Sequence, residues 1–477
     1  MTNLLLYVPD ILDMPQTRFA IAFTKFGEEY GPLTWLTIPG QNILVVNSFE
    51  AAKELLEKRS SIFIDRPRFT MTNELLGLSN HLALSVSNDM WRRQRTHLKN
   101  ALSAPVVRSD YSSLLETKAR QFLERCAARP ESIMLETTRV IGEAIIQLTY
   151  GKLEDERGRD YIQVATRLLD IMIVSLQGYV VDIFPALKYL PKWLPGMKFK
   201  RDAARWRKEI CGLEDAIFGL AKENMFSDDP RVQSSFMFKR MQDLESKHEE
   251  TYDVQQHWND VAYCGLQIFF GGLETSEATM QSFIRAMTLF PSVQKKAQAE
   301  IERVIGSSRL PTFKDQPNLP YLHAVVLETL RWSPVVSIGV PRVSRKDDLY
   351  DGYFIPKGTT VIANAWGFSR NLKYYTNPST FDPERFLKQP PELDPREFTF
   401  GYGRRLCPGQ DLALQKVWIL VASVLWAFNI VGTEDEPAPL ADVDRFSFGM
   451  ANRPMPFKCQ LVPRHEGLVD KIADATM

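Results

Sequence analysis

The segment from Phe400 to Gly409, FGYGRRLCPG, constrains this 477-residue chain more than any other stretch. It sets one cysteine, Cys407, in a glycine-rich loop just after two adjacent arginines. An apolar run suited to a helix, Val417 to Val431, begins shortly downstream. A thiolate beside a helix N-terminus is favoured by the helix dipole and by unpaired backbone N–H groups. Gly401, Gly403 and Gly409 allow positive φ and leave room for a flat ligand against the backbone. Phe400 can pack beside the sulfur and keep water out, and Arg405 can pair with a carboxylate. These residue types suit a cysteinate ligand to haem iron, in which the thiolate pushes electron density toward O–O cleavage. The alternative is a buried structural cysteine in a tight turn.

Other segments bear on the choice. His257 to Phe290 contains no proline and reads as one helix of roughly 50 Å at about 1.5 Å per residue. Midway along it lies Gly271-Gly272-Leu273-Glu274-Thr275. Each interior glycine costs a helix about 1 kcal/mol relative to alanine, so a reason is needed. Close approach of haem and dioxygen is one, and a local bulge that admits water is another. Thr275 can then hydrogen-bond dioxygen, and Glu274 can relay protons. A glycine-rich helix crossing explains the pair equally well without Cys407. Glu328 and Arg331 stand three apart on a further helix, Leu319 to Trp332, and share a face. Arg385, in PERF (Pro383 to Phe386), can complete a charged network with them, which a buried pair needs to offset desolvation.

Composition narrows the class. Basic and acidic residues balance at 58 each, which argues against a nucleic-acid binder held by bulk charge. The five cysteines, Cys126, Cys211, Cys264, Cys407 and Cys459, are odd in number and form no C-x-x-C pair. That argues against a disulfide framework or a zinc site and for a reducing compartment. The histidines, His97 and His323 among them, show no metal spacing. No apolar run reaches the roughly 18 residues of a membrane-spanning helix. The start, MTNLLLYVPDIL, is broken by Pro9 and Asp10 and lacks a charged leader.

The cysteine loop resembles the haem-binding signature F-x-x-G-x-R-x-C-x-G of the cytochrome P-450 superfamily, matching at Phe400, Gly403, Arg405, Cys407 and Gly409. E-x-x-R, then PERF, then the cysteine loop is also that family's order, and Gly271 to Thr275 resembles its oxygen-activation motif. The resemblance covers about residues 17 to 463 and is greatest to fungal microsomal members that tailor secondary metabolites. It implies a mainly α, single-domain fold with a minor β region, a long central helix over haem b and the cysteine loop beneath. It implies Cys407 as axial ligand to the haem iron, with Phe400 and Gly401 beside it. Trp91, Arg95, Arg342 and Arg405 become candidates for holding the haem propionates. Thr275 and Glu274 take the proton-handling role, while Glu328, Arg331 and Arg385 are structural.

The implied reaction is monooxygenation, RH + O2 + two electrons + two protons giving ROH + H2O. No nicotinamide or flavin motif follows a strand, so electrons come from a separate NADPH-cytochrome reductase, with cytochrome b5 as an accessory donor. Arg92, Arg93 and Lys99 read as an outward basic face suited to an acidic donor. Arg66 to Ser79, Phe269, Phe270, Val335 to Ile338 and Phe446 to Met450 read as pocket lining for an apolar small molecule, with terpenoid, polyketide and indole all open. Two rival activities are a haem-thiolate isomerase or dehydratase, which needs no reductase, and a non-catalytic haem sensor.

Along the chain, Leu33 to Ile38 and Asn42 to Asn47 read as a hairpin, and Leu349 to Asn364 as strand-like with a turn at 356–358. Helices dominate from Asn88 to Gly306 apart from a proline-rich interruption at 185–196. The expected organisation is an N-terminal segment, 1–16, without a recognisable membrane anchor, then the haem domain at 17–463 and a tail at 464–477. Phe184 to Lys200, FPALKYLPKWLPGMKFK, mixes aromatics, leucines, lysines and prolines as a segment lying at a membrane surface does. The expected location is the cytosolic face of the endoplasmic reticulum through this peripheral contact, or the cytoplasm.

Overall fold

The computed structural model describes residues 18–38, 40–152, 160–176, 178–245, 253–433, 445–447 and 451–474. The expected N-terminal segment therefore lies outside the described residues, as do 448–450 of the expected pocket lining. The central helix runs Val254–Leu289, 36 residues and so roughly 54 Å. Asp253 caps it by accepting from the Gln256 N–H. It ends at Phe290, and Pro291 opens the next helix, Pro291–Val304, at the position where a missing N–H costs nothing. The E-x-x-R helix follows as Pro320–Trp332. Helices Ser112–Ala128 and Ile133–Tyr150 pack with the central helix into one apolar core.

The apolar run after the cysteine loop divides in two. The helix begins earlier than the sequence suggests and spans Gln410–Ala427. Its expected last residues form strand β7, Phe428–Gly432, paired antiparallel with β8, Cys459–Pro463. The signal was alternation: Phe428 and Ile430 are buried while Val431 is about half exposed. The other edge of β7 is covered by Gln294 and Gln298, which bond the backbone of Ile430 and Phe428.

The β region is small. In chain order, β1 is Leu33–Ile38, β2 Gln41–Val46, β3 Arg342–Val343, β4 Asp348–Tyr350, β5 Tyr353–Ile355 and β6 Thr360–Ala363. One sheet has the order β1-β2-β6-β3, with β2 and β6 parallel and the outer pairs antiparallel. What read as one strand-like stretch after Leu349 is therefore three strands. Asp351 and Gly352, both at positive φ, turn β4 into β5, as an Asp-Gly pair favours. A second core between sheet and cysteine loop contains Leu44, Val46, Phe63, Phe368 and Tyr402.

The expected C-terminal tail is not free of the body. Helix Leu468–Asp474 buries Leu468 and Ile472 in the main core. The described helices and strands together give the expected mainly α architecture with a minor β region in one body.

Glu328, Arg331 and Arg385 are fully buried. Arg331 grips Glu328 bidentately at 2.6 and 2.8 Å, and the Asp382 N–H adds a bond of 2.8 Å. Arg385 Nε lies 3.1 Å from the same carboxylate, off the hydrogen-bonding direction. Glu392 supplies a second carboxylate, 2.5 Å from Arg385. The carbonyls of Ser369, Thr376, Pro378 and Thr380 take remaining donors. Two carboxylates thus face two guanidiniums, and the backbone of the loop before the cysteine is threaded between them. Glu328→Ala leaves both arginines short of charge in the core and is expected to cost about 3–5 kcal/mol. The variant should give little soluble haem-containing protein. Full expression with full haem content would show that the loop does not depend on the network.

Candidate active site

Cys407 sits two residues before Gly409, the residue that caps the helix Gln410–Ala427. Its own N–H donates to the Phe400 carbonyl at 2.8 Å, closing the loop on itself. Phe400 thus braces the loop through its backbone. Burial pushes the Cys407 thiol up, while the Gly409 N–H and the charge of Arg95 pull it down. The side chain nevertheless has accessible surface. A group both enclosed by protein and accessible faces an internal cleft, so the accessibility does not mean contact with bulk solvent.

The loop glycines do different work. Gly401 stands at φ 81° and Gly403 at φ 48°. A Cβ on Gly403 would lie 3.0 Å from Ser60 Cβ and 3.1 Å from Glu57 Cα, so this glycine serves the protein's own packing. Gly409 is at φ −94°, and the expectation of positive φ there is corrected. On the central helix, a Cβ on Gly271 would meet nothing closer than Gln267 Nε2 at 3.8 Å. One on Gly272 would lie 2.7 Å from Ile145 Cδ1. Gly271 thus faces open space while Gly272 is a helix crossing. The helix is unbroken through both, so the expected bulge is not formed.

Thr275 donates to the Gly271 carbonyl at 2.6 Å. Glu274 does not join it. Its carboxylate lies 3.0 Å from Arg453, which also approaches Glu277 at 3.7 Å. Burial raises the Glu274 pKa in spite of Arg453. The sequence reading missed Arg453 because nothing local links it to residue 274.

Four arginines meet beside the cysteine loop. The sequence reading gives Arg405 a carboxylate partner; among the described residues no protein carboxylate pairs with it. It donates to the carbonyls of Ile64, Leu82 and Ser85 and lies 4.4 Å from the Trp91 ring centre. Arg342, on β3, donates to Leu56 and Tyr402 carbonyls. Arg66, read only as pocket lining, donates to Ala83, Val340 and Pro341. Arg95 makes no hydrogen bond among the described residues, and burial lowers its pKa. Burial brings Arg405 down to about 9, and Arg342, Asp65, Arg95 and Arg345 act on it in turn. Burial brings Arg342 to about 10, and burial with Arg405 and Arg342 beside it lowers Arg66 well below its usual range. The carboxylate acting on Arg405, that of Asp65, is itself held by Arg345 at 2.6 Å. The four guanidiniums outnumber local carboxylates and suit a dianionic ligand.

A cavity above Phe270 is lined by Leu78, His81, Leu168, Met172, Ile210 and Glu214. Leu78 and Phe270 belong to the segments expected to line the pocket. The helices Tyr161–Ser175 and Lys198–Asn224 supply residues that carry no motif. His81 pairs with Glu214 at 3.1 Å and stacks on Phe270. Phe269 packs on Tyr150 and Phe446 on Trp332 and Trp366, away from this cavity. Of the expected outward basic residues, Arg93 turns inward to Asp260 at 2.5 Å, and Arg92 is paired with Asp89. Among the described residues no His, Cys, Asp and Glu cluster could hold a free metal ion.

An accessible cysteine thiol enclosed by protein beside a cationic cluster has residues that fit a haem-thiolate site. The family profile of cytochrome P-450 matches residues 3–459. The cytochrome P-450 monooxygenase claR of Ampulloclitocybe clavipes is 34% identical over 98% of this chain and 88% of its own length. Monooxygenase 208 of Postia placenta is 32% identical over 96% and 88%, and ppsD of Aspergillus oryzae 33% over 96% and 87%. A zebrafish cytochrome P-450 structure with progesterone superposes with a TM-score of 0.77 at 24% identity, covering 93% of this chain and 99% of that one. The chain belongs to the cytochrome P-450 family and is a monooxygenase of it, with haem b as cofactor. The surplus of buried guanidiniums fits a porphyrin with two propionates, and Cys407 fits its iron.

The glycines separate by experiment. Gly403→Ala puts a Cβ at positive φ against backbone and is expected to cost about 1–3 kcal/mol. Gly271→Ala should be neutral or add up to about 1 kcal/mol to the haem-free chain. Thermal unfolding midpoints of the three haem-free proteins check this, and equal losses from both changes would reject the distinction.

Proposed function

We propose that this monooxygenase hydroxylates a largely apolar small molecule of fungal secondary metabolism with electrons from a separate NADPH-cytochrome reductase. The observation that carries the reading is the enclosed Cys407 thiol beside the cationic cluster. When bound, haem supplies the dioxygen and redox chemistry. Cys407 would ligate its iron, and Arg66, Arg95, Arg342, Arg405 and Trp91 would hold the propionates. Phe400 and Gly401 shape the loop around the sulfur. The Thr275 hydroxyl, parked on the Gly271 carbonyl, is a proton donor at the glycine that leaves open space. Glu274 keeps a carboxyl that burial makes easier to protonate, and partly exposed Arg453 connects it toward solvent. Leu78, Leu168, Met172, Ile210 and Phe270 favour an apolar substrate, with His81 and Glu214 able to orient one polar group. Exposed Arg92, Lys99 and Arg404 give an acidic reductase a footing, and Arg93 is not part of it. The haem domain we assign begins near residue 17 and includes the helix Leu468–Asp474.

No described helix is long and apolar enough to cross a membrane. Val180, Phe184, Tyr189 and Trp193 are nonetheless 61, 53, 79 and 78% exposed on one short stretch, with Ile183 and Leu190 beside them. This is the composition of a peripheral contact, and it supports placement at the endoplasmic-reticulum surface. Lys188 is tied to Glu74 at 2.5 Å, whereas Lys192 is exposed and Lys198, 4.0 Å from Asp202, keeps an exposed side chain toward headgroups.

Reconstitution with an NADPH reductase tests the catalytic reading. The parent should consume NADPH and show the red-shifted thiolate Soret band of the reduced carbonyl complex. Cys407→Ala should lose the band. Thr275→Ala should keep it but release more hydrogen peroxide per NADPH. A Cys407 variant with the band intact assigns the ligand elsewhere, and an unchanged peroxide ratio removes Thr275 from proton delivery.

Sedimentation with anionic liposomes tests the surface. The parent should co-sediment reversibly. Replacing Tyr189 and Trp193 by Ser, with Lys192 and Lys198 by Glu, should leave the protein in the supernatant. Equal sedimentation of parent and variant would reject the segment as a membrane contact.

A further inference from the structure

Lys416 lies on the helix that leaves the cysteine loop and is 2% exposed. Its Nζ donates to the Gly272 carbonyl of the central helix at 2.7 Å. A Cβ built on Gly272 would lie 3.8 Å from that nitrogen and 2.7 Å from Ile145 Cδ1, so three helices meet at this carbonyl. Among the described residues Lys416 makes no ion pair. The acids on the packed helices are committed elsewhere. Glu274 and Glu277 face Arg453; Glu136 binds Arg125 and Arg129; Glu143 binds Arg125 and Arg139. Asp411, near the start of its own helix, is five residues away and so not on the neighbouring turn of the same face.

A lone lysine in an apolar helix crossing is costly, and a methionine of similar length would pack there without desolvating a charge. Burial alone brings the Lys416 pKa down to about 7. The cost falls as pH rises. Below about 7 both folded and unfolded chains carry the proton. From there to the usual lysine range near 10.4 the folded chain has lost it and the unfolded chain has not, so stability increases with pH across that window. Stability is therefore not what this side chain provides. What it does provide is a donor, from the neighbouring helix, to the Gly272 carbonyl that lies between Gly271 and the Glu274-Thr275 pair.

We propose that Lys416 is a positioning residue for oxygen activation: its bond to the Gly272 carbonyl seats the Gly271–Thr275 turn on the helix that carries the cysteine loop. The inference rests on the reading of Cys407 and Thr275 as the two sides of the haem site. Fixing that turn fixes where the Thr275 hydroxyl stands relative to Cys407, and a displacement of about 1 Å at such a site costs up to about 100-fold in rate. Because Nζ titrates near neutrality, the seat is a charged donor at low pH and a neutral one at high pH.

The test uses holoprotein of the parent and Lys416→Met, with hydrogen–deuterium exchange over residues 268–280 and peroxide released per NADPH with a reductase. Lys416→Met should keep the reduced carbonyl band, which reports Cys407 separately. Exchange in the Gly271–Thr275 turn should quicken several-fold. The peroxide ratio should rise several-fold and lose its dependence on pH between about 6 and about 8, a window in which the parent ratio should change. A folded variant with parental exchange and a parental ratio at every pH overturns the proposal. If the parent turns over no NADPH, the catalytic reading fails and exchange alone decides on the seat. If the variant binds no haem, the parent's own pH profile decides, and a flat profile overturns the proposal.

Discussion

The rest of this structure depends on a carboxylate that no water reaches. Glu328 holds Arg331 from its own helix, approaches Arg385 from the following loop, and accepts the Asp382 N–H. A buried ion pair by itself contributes little, because desolvation consumes the attraction. Here the guanidiniums reach on to four loop carbonyls and to Glu392. The loop from Ser369 to Glu392 has little regular structure to order it, so its path is set by where those donors point. That loop leads into the cysteine segment, and its placement determines where Cys407 emerges.

The opposite arrangement prevails beside the cysteine. Arg66, Arg95, Arg342 and Arg405 crowd together with too few carboxylates, and burial with mutual repulsion lowers the charge affinity of three of them. One set of buried arginines is satisfied by the protein and organises a loop. The other is satisfied only in part, by carbonyls, and fits the receptor for negative charge that we propose. The same residue type thus organises structure in one place and, as we propose, receives a ligand in the other. The difference lies in the acids that surround it.

The central helix carries both kinds of constraint on adjacent residues. Gly272 is small because Ile145 approaches it, whereas Gly271 is small with nothing of the protein's own against it. Lys416 bonds the carbonyl between them and Glu274. Packing, open space and a tie to the cysteine helix therefore fall within one helical turn, which explains how an unbroken helix can tolerate two glycines at its middle.

The sequence by itself determined the chemistry of the cysteine loop, the long helix and the E-x-x-R helix, because each is written in contiguous residues: a ten-residue loop, a proline-free run, a spacing of three. It also carried weaker signals, such as the Asp-Gly turn at 351–352 and the alternation that makes Phe428–Gly432 a strand. Tertiary structure alone decided the partners. Glu392 with Arg385, Arg453 with Glu274, Arg93 turned in to Asp260, and Arg66 in the cationic cluster are all long-range or unmotivated by local pattern. It also decided that Arg405 meets carbonyls rather than a carboxylate of the protein, that Gly403 serves packing, and that Lys416 is buried on Gly272. The physical reason is the same throughout. Local sequence fixes backbone preference and which side chains share a face, but the energy of a buried charge depends on groups brought to it from elsewhere in the chain.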